Sequence, residues 1–141
     1  MPADVILKTM NTVHRALLRA TGNRLGASLA GMPSLELTTI GRKSGTPRSV
    51  MLTSPLQEGD AYVVVASRGG DDIHPAWFLN LRDNPAVEVT VVGQPKRDMH
   101  ARVASAEERA RMWPIIADKY RNYAGYQKRT KREIPLVLLE P

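Results

Sequence analysis

The sequence predicts a mainly β domain in which about six mostly antiparallel strands form a small closed or split β-barrel, with an N-terminal amphipathic helix and two further helices. Three observations carry this. Short runs of β-branched or apolar residues recur around 38–40, 50–53, 61–67, 87–92, 99–104 and 134–139. Glycine and proline clusters separate most of these runs. Helices are expected over residues 4–20, 74–84 and a segment starting near 105. The strands are too few and too short for a sandwich.

In chain order, Ile6, Met10, Val13 and Leu17 form an apolar stripe, widened by Leu7, Leu18 and Ala20. Lys8, His14, Arg15 and Arg19 lie off that stripe, so the helix is basic as well as amphipathic; packing on the barrel is its expected fate, and peripheral contact with an anionic membrane is the alternative. Gly22, Gly26, Gly31 and Pro33 mark a loop, and residues 1–33 are set apart from a barrel over 34–141 within one domain. Two strands then flank a turn from Gly41 to Arg48. A second turn is expected over Pro55–Asp60. Ala61–Ser67 is almost continuously apolar, the mark of a strand buried on both faces, and it ends at Ser67-Arg68-Gly69-Gly70. Pro75 suits the first turn of a short helix with Trp77, Phe78 and Leu81 inward, and Pro85 stops it. Two strands follow. Ser105-Ala-Glu-Glu108 is a capping box opening a helix, which Pro114 is expected to break. Ile134–Leu139 is the last strand.

The chain has 141 residues, a formal charge of +6 and a pI near 10.0, which suits an acidic partner: nucleic acid, an anionic membrane or a small polyanion. Aromatics are only 5%, which argues against stacking platforms for single-stranded nucleic acid and favours a small anionic ligand. The absence of cysteine excludes disulfides, thiolate catalysis and iron–sulfur clusters, and fits a reducing cytoplasm. No window approaches the ~20 apolar residues of a membrane span, and no signal-peptide pattern opens the chain. His14, His74 and His100 are not at metal-ligand spacing, so no metal is expected. Ser67, His74 and Asp71 or Asp72 supply the residue types of a hydrolytic triad without a nucleophile elbow, and no Walker pattern is present.

Two stretches carry candidate chemistry. Residues 41–48 place Arg42, Lys43 and Arg48 on a turn with no acid among them, so an anion can be held by side-chain cations, turn amides and Ser44; a solvated hairpin tip is the bland reading. Tyr120, Tyr123 and Tyr126 recur at helical spacing with the cations of Lys128–Arg132 beyond them, a phenol wall that reads as a pocket edge.

Five spaced motifs then occur in order: T-T-x-G-R-K-S-G-x-P-R (Thr38 to Arg48), V-V-A-S-x-G-G (Val64 to Gly70), H-P-x-W-x-x-N-L (His74 to Leu81), Y-x-x-Y-x-x-Y (Tyr120 to Tyr126) and I-P-x-V-x-L-E-P (Ile134 to Pro141). Together they resemble the deazaflavin-dependent nitroreductase family of actinobacteria, within the flavin-binding split-barrel superfamily. The resemblance covers about Leu35 to Pro141; the N-terminal helix matches in character only. It implies a split barrel binding coenzyme F-420, a deazaflavin with a phosphate and an oligoglutamate tail, and FMN is the less favoured cofactor. By resemblance, Arg42, Lys43, Ser44 and Arg48 hold the anionic end. Ser49, Val50, Met51, Leu52 and Thr53 continue the cofactor site along the next strand. Val65, Ala66, Ser67 and Arg68 lie beside the ring, and Ala76, Trp77, Phe78, Leu79 and Asn80 close over it. Tyr120, Tyr123 and Tyr126 line the acceptor pocket, and Tyr123 also touches the cofactor. Ser67 and Tyr123 are the catalytic candidates, as hydrogen-bond donors or proton relays. The implied activity is hydride transfer to a quinone, an activated enone or lactone, or a nitroaromatic. A non-catalytic coenzyme carrier and a basic polyanion-binding module are the alternatives. A homodimer is also expected, and no nucleic acid.

Overall fold

The computed structural model describes residues 28, 29 and 32–141. The predicted helix at 4–20 lies outside them. Eight strands are formed, β1 (Ser28–Leu29), β2 (Met32–Ile40), β3 (Pro47–Thr53), β4 (Leu56–Glu58), β5 (Ala61–Val65), β6 (Ala86–Val91), β7 (Arg97–Val103) and β8 (Leu136–Glu140). The helices are α1 (Ala76–Asp83), α2 (Ala106–Lys119) and α3 (Arg121–Arg129), with a 3-10 turn at Arg68–Gly70.

All strand pairings are antiparallel, and the strands follow one another across the sheet as β3-β2-β6-β7-β8-β5-β4, with β1 on the start of β2. The two ends of that order are consecutive in the chain. Between β3 and β4 the chain turns a corner at Ser54-Pro55, leaving β2 and joining β5. Ser54 is 1% exposed. Its amide donates to Pro33 O at 2.9 Å, and its hydroxyl lies 2.8 Å from Val63 O and 3.0 Å from Leu56 O. The barrel is thus closed at this point by covalent chain and one buried serine.

Strand alternation sorts the core into two clusters. Leu35, Leu37, Val64, Val87, Val89, Val91, Val137 and Leu139 point into the barrel, where Trp77, Phe78 and Leu81 of α1 fill its mouth. On the other face of β5 and β8, Val63, Val65, Leu136 and Leu138 pack against Met112 and Ile116 of α2 and Tyr123 of α3. Both faces of β5 are covered, as its near-continuous apolar run predicts.

Several expectations are corrected. Pro33 lies inside β2 rather than in a loop, and its carbonyl serves the Ser54 corner. Residues 56–58 form β4, a short strand where only a turn was expected, because Gly59 at φ +60° lets the chain fold straight back onto β5. Pro114 does not break α2. Ala110, whose carbonyl loses its helical donor there, and Pro114 itself are both exposed, so solvent satisfies the group. The tyrosine run forms a separate helix, α3, giving three described helices.

Candidate functional site

The basic turn is a six-residue connection closed by hydrogen bonds from Gly41 N to Thr46 O and from Gly45 N to Gly41 O, both 2.8 Å. Gly45 sits at φ +69°, a left-handed position that favours glycine. The Ser44 hydroxyl accepts from Thr46 N at 3.3 Å and lies 2.8 Å from Thr46 Oγ1, so it shapes the turn as well as standing at its surface. Among the described residues, Arg42, Lys43 and Arg48 have no carboxylate partner.

Asn80 fastens this turn to α1. It is buried, its Oδ1 accepts from Arg42 N at 3.2 Å and from the Arg42 guanidinium at 3.0 Å, and its Nδ2 donates to Thr39 Oγ1 at 3.2 Å. The guanidinium is thereby oriented by a neutral partner and keeps its full charge for a ligand. Arg42 lines an open groove of about 450 Å³ together with Arg68, Asp72, Ile73, His74, Ala76 and Leu79.

The structure divides the five α1 candidates. Ala76 and Leu79 face the groove, Trp77 and Phe78 are sunk in the barrel core, and Asn80 is the clamp just described. On β3, Arg48 and Ser49 are exposed, with Ser49 Oγ 2.8 Å from Thr38 Oγ1; Val50 and Leu52 lean on the barrel core and Met51 is buried. Val65 belongs to the outer cluster and Ala66 to the inner.

Ser67 opens the 3-10 turn and is 9% exposed. Its carbonyl is engaged by Gly70 N and Arg132, while its hydroxyl has no protein partner among the described residues. Arg68, Gly69 and Gly70 all have positive φ, +47°, +65° and +85°. Gly70 is required by contact as well: a Cβ there would lie 2.7 Å from Tyr126 O. This tight loop therefore rests directly on α3. Arg68 is paired with Asp71 at 2.7 Å.

Tyr120, Tyr123 and Tyr126 do form a row, in successive edge-to-face contacts of 6.4 and 6.0 Å. Its centre is a buried position: Tyr123 is 7% exposed, with its hydroxyl 3.5 Å from Thr53 Oγ1 and 3.7 Å from Met32 Sδ. Burial raises its pKa, so the phenol stays protonated through the neutral range. Thr53 and Ile40 are at opposite ends of the β2–β3 hairpin, so the tyrosines and the basic turn mark its two ends.

Sequence reasoning treated His74 as a metal or triad candidate and as the opening residue of a motif, without a role at the site, and merged Arg132 into a basic run. His74 lines the groove with its ring 4.7 Å from that of Phe78. Desolvation first, then the Arg132 and Arg82 cations, lower its pKa and keep it neutral. Among the described residues no cluster of metal-ligating side chains exists.

A split barrel whose mouth is filled by a short helix, with a groove lined by the oriented Arg42 and exposed cations on the same turn, has the chemistry to hold an anion. Comparison with known proteins makes this particular. The sequence model of the F420H(2)-dependent quinone reductase family matches residues 10–141, and the chain belongs to that family. It is 41% identical over 131 residues to an F420H(2)-dependent quinone reductase of Mycobacterium tuberculosis, covering 90% of this chain and 87% of that one. A solved F420-H2 dependent reductase, FDR-A, superposes with a TM-score of 0.67 at 40% identity, over 77% of this chain and 94% of that one. A second solved structure, described as a domain-swapped dimer, gives a TM-score of 0.66 at 35% identity over 94% and 96%. The chain is thus a reductase that uses reduced coenzyme F-420.

Proposed function

We propose that the anionic end of coenzyme F-420 lies across Arg42, Lys43 and Arg48, that the groove beside α1 receives more of the cofactor, and that the acceptor is a quinone. The observation that carries this is the set of three cations without carboxylate partners, one of them pre-aimed by Asn80. An anion bound there adds the missing counter-charge with little rearrangement. When bound, the coenzyme supplies a hydride.

The chain's own residues supply position and protons. A quinone becomes a hydroquinone by gaining two electrons and two protons; hydride brings both electrons and one proton, so one further proton is needed. Ser67 Oγ, nearly buried and without a protein partner among the described residues, is the candidate donor of a hydrogen bond to the developing oxyanion. Tyr123 Oη–H is held protonated by burial and acts as a donor or as the fixed end of a relay through Thr53. Tyr120 and Tyr126 flank it and shield the site from water. The finer assignments of partner follow the same reading. A homodimer is supported by β3, which among the described residues pairs only with β2 and offers an open edge, and by the dimeric neighbour. No described helix is long and apolar enough to cross a membrane, and membrane contact through residues 4–20 rests on their sequence alone.

The test is titration with coenzyme F-420 and separately with FMN, read by tryptophan quenching, followed by turnover assays with a soluble naphthoquinone, an enone and a nitroaromatic. Deazaflavin-selective binding with quinone turnover fastest is expected; binding without turnover of any acceptor would make the protein a carrier. Tyr123→Phe should retain coenzyme affinity within about twofold and lower kcat by about tenfold or more. Unchanged kcat would remove the phenol from the mechanism.

A further inference from the structure

We infer that Arg132 is the positioning residue of the site: its guanidinium, reaching from the segment after α3, fixes the Ala66–His74 loop and selects the tautomer of the groove-lining His74. This rests on the groove reading above and deepens it.

The geometry is specific. Arg132 Nε donates to Asp71 O at 2.8 Å. Its Nη2 donates to Ser67 O at 3.0 Å, and both terminal nitrogens reach Ala66 O at 3.3 Å. Its Nη1 lies 3.2 Å from His74 Nδ1. Guanidinium has no acceptor, so Nδ1 must be the unprotonated nitrogen and the ring proton sits on Nε2. One planar fork therefore joins the carbonyls of Ala66, Ser67 and Asp71 to the groove-lining His74. Neighbouring contacts reinforce it. Arg129 reaches Gly69 O at 3.4 Å, and Gly70 is in contact with the backbone of Tyr126. The charged groups facing His74 are Arg132 and Arg82, with Arg42, Arg68 and Asp72 around the same groove. Lys128 and Lys131 lie close by in sequence and are exposed, yet make no such bonds among the described residues, so bulk positive charge does not explain the arrangement.

A lysine at 132 keeps the charge but not the fork: its ammonium cannot satisfy three carbonyls and an imidazole in one plane. The experiment compares Arg132→Lys and Arg132→Gln with Lys131→Ala as a charge-loss control. Nitrogen-15 NMR of the histidines, with His74→Asn to assign the signal, reads the tautomer. In the parent protein His74 is expected as the Nε2–H form. Arg132→Lys and Arg132→Gln are expected to mix the tautomers and to weaken coenzyme F-420 binding by about tenfold, Arg132→Gln also to raise the His74 titration midpoint through the lost charge, and Lys131→Ala to bind coenzyme within twofold of the parent. Should Arg132→Gln fail to fold, Arg132→Lys carries the comparison. A His74 signal identical in parent and variants would overturn the positioning role. If the parent itself fails to bind coenzyme, the groove reading falls, while the tautomer measurement still decides the role of Arg132.

Discussion

At Asn80 a single buried amide meets two elements whose relation makes the site. Asn80→Ala leaves Thr39 Oγ1 and the Arg42 amide without their partner, and is expected to cost about 1–3 kcal/mol in stability and to free the Arg42 side chain. Asn80→Asp keeps the acceptor but sets a carboxylate on Arg42, so it should weaken coenzyme binding more than it lowers the melting temperature. Calorimetry beside tryptophan-quenching titration separates the two effects; equal affinity in Asn80→Asp and the parent would deny Arg42 its part in binding. At this scale the sequence was legible for the cations of residues 42–48, because an acid-free turn needs no tertiary information. It was not legible for Arg132, nor for the part Asn80 plays as a clamp, since the motif named Asn80 only as a residue closing over the cofactor. Their partners lie 38 or more residues away in the chain, and nothing local distinguishes Arg132 from Lys131.

Among the elements, α2 shows local code and tertiary constraint acting together. Its capping box forms as the sequence predicts: Glu108 N donates to Ser105 Oγ at 3.2 Å and Ser105 N to Glu108 Oε1 at 2.9 Å. Glu108 also receives the Arg102 guanidinium at 2.6 and 3.0 Å, and Arg102 reaches Glu140, so the start of α2 is tied to β7 and β8. These hydrogen bonds, Arg102 first, hold the Glu108 pKa down at about 2 from 4.5. A depressed carboxylate contributes stability above its unfolded pKa and loses it as pH falls through the folded one. Ser105→Ala is expected to cost about 1 kcal/mol at neutral pH. Arg102→Met should lower the melting temperature at pH 7 while shrinking the further loss between pH 4.5 and pH 2. Parallel pH curves for parent and variant would show that the ion pair plays no part. The expected break at Pro114 failed for the opposite reason: propensity speaks of an isolated helix, whereas Met112 and Ile116, both fully buried, anchor the turns on either side of the proline.

For the whole molecule, charge and topology set the behaviour. The net charge of +6 and the partnerless basic turn predict that coenzyme binding weakens as salt rises from 0.1 M, where the screening length is ~10 Å, to 1 M, where it is ~3 Å. The double variant Arg42→Ala, Lys43→Ala should bind weakly at low salt and show a flatter dependence. An identical slope would place the binding charge elsewhere. The barrel itself was readable from alternating strands, but its closure was not, since a corner two residues long leaves no periodic signal. Closure has a further consequence at Ser54-Pro55. A sheet sewn shut by its own chain can widen only as a hinge does, and the pin of that hinge is Ser54, its amide on the Pro33 carbonyl and its hydroxyl on those of Leu56 and Val63. Anything that levers β3 outward must loosen that pin, so the Leu56–Val63 pairing is where the barrel should first exchange its amide hydrogens with solvent.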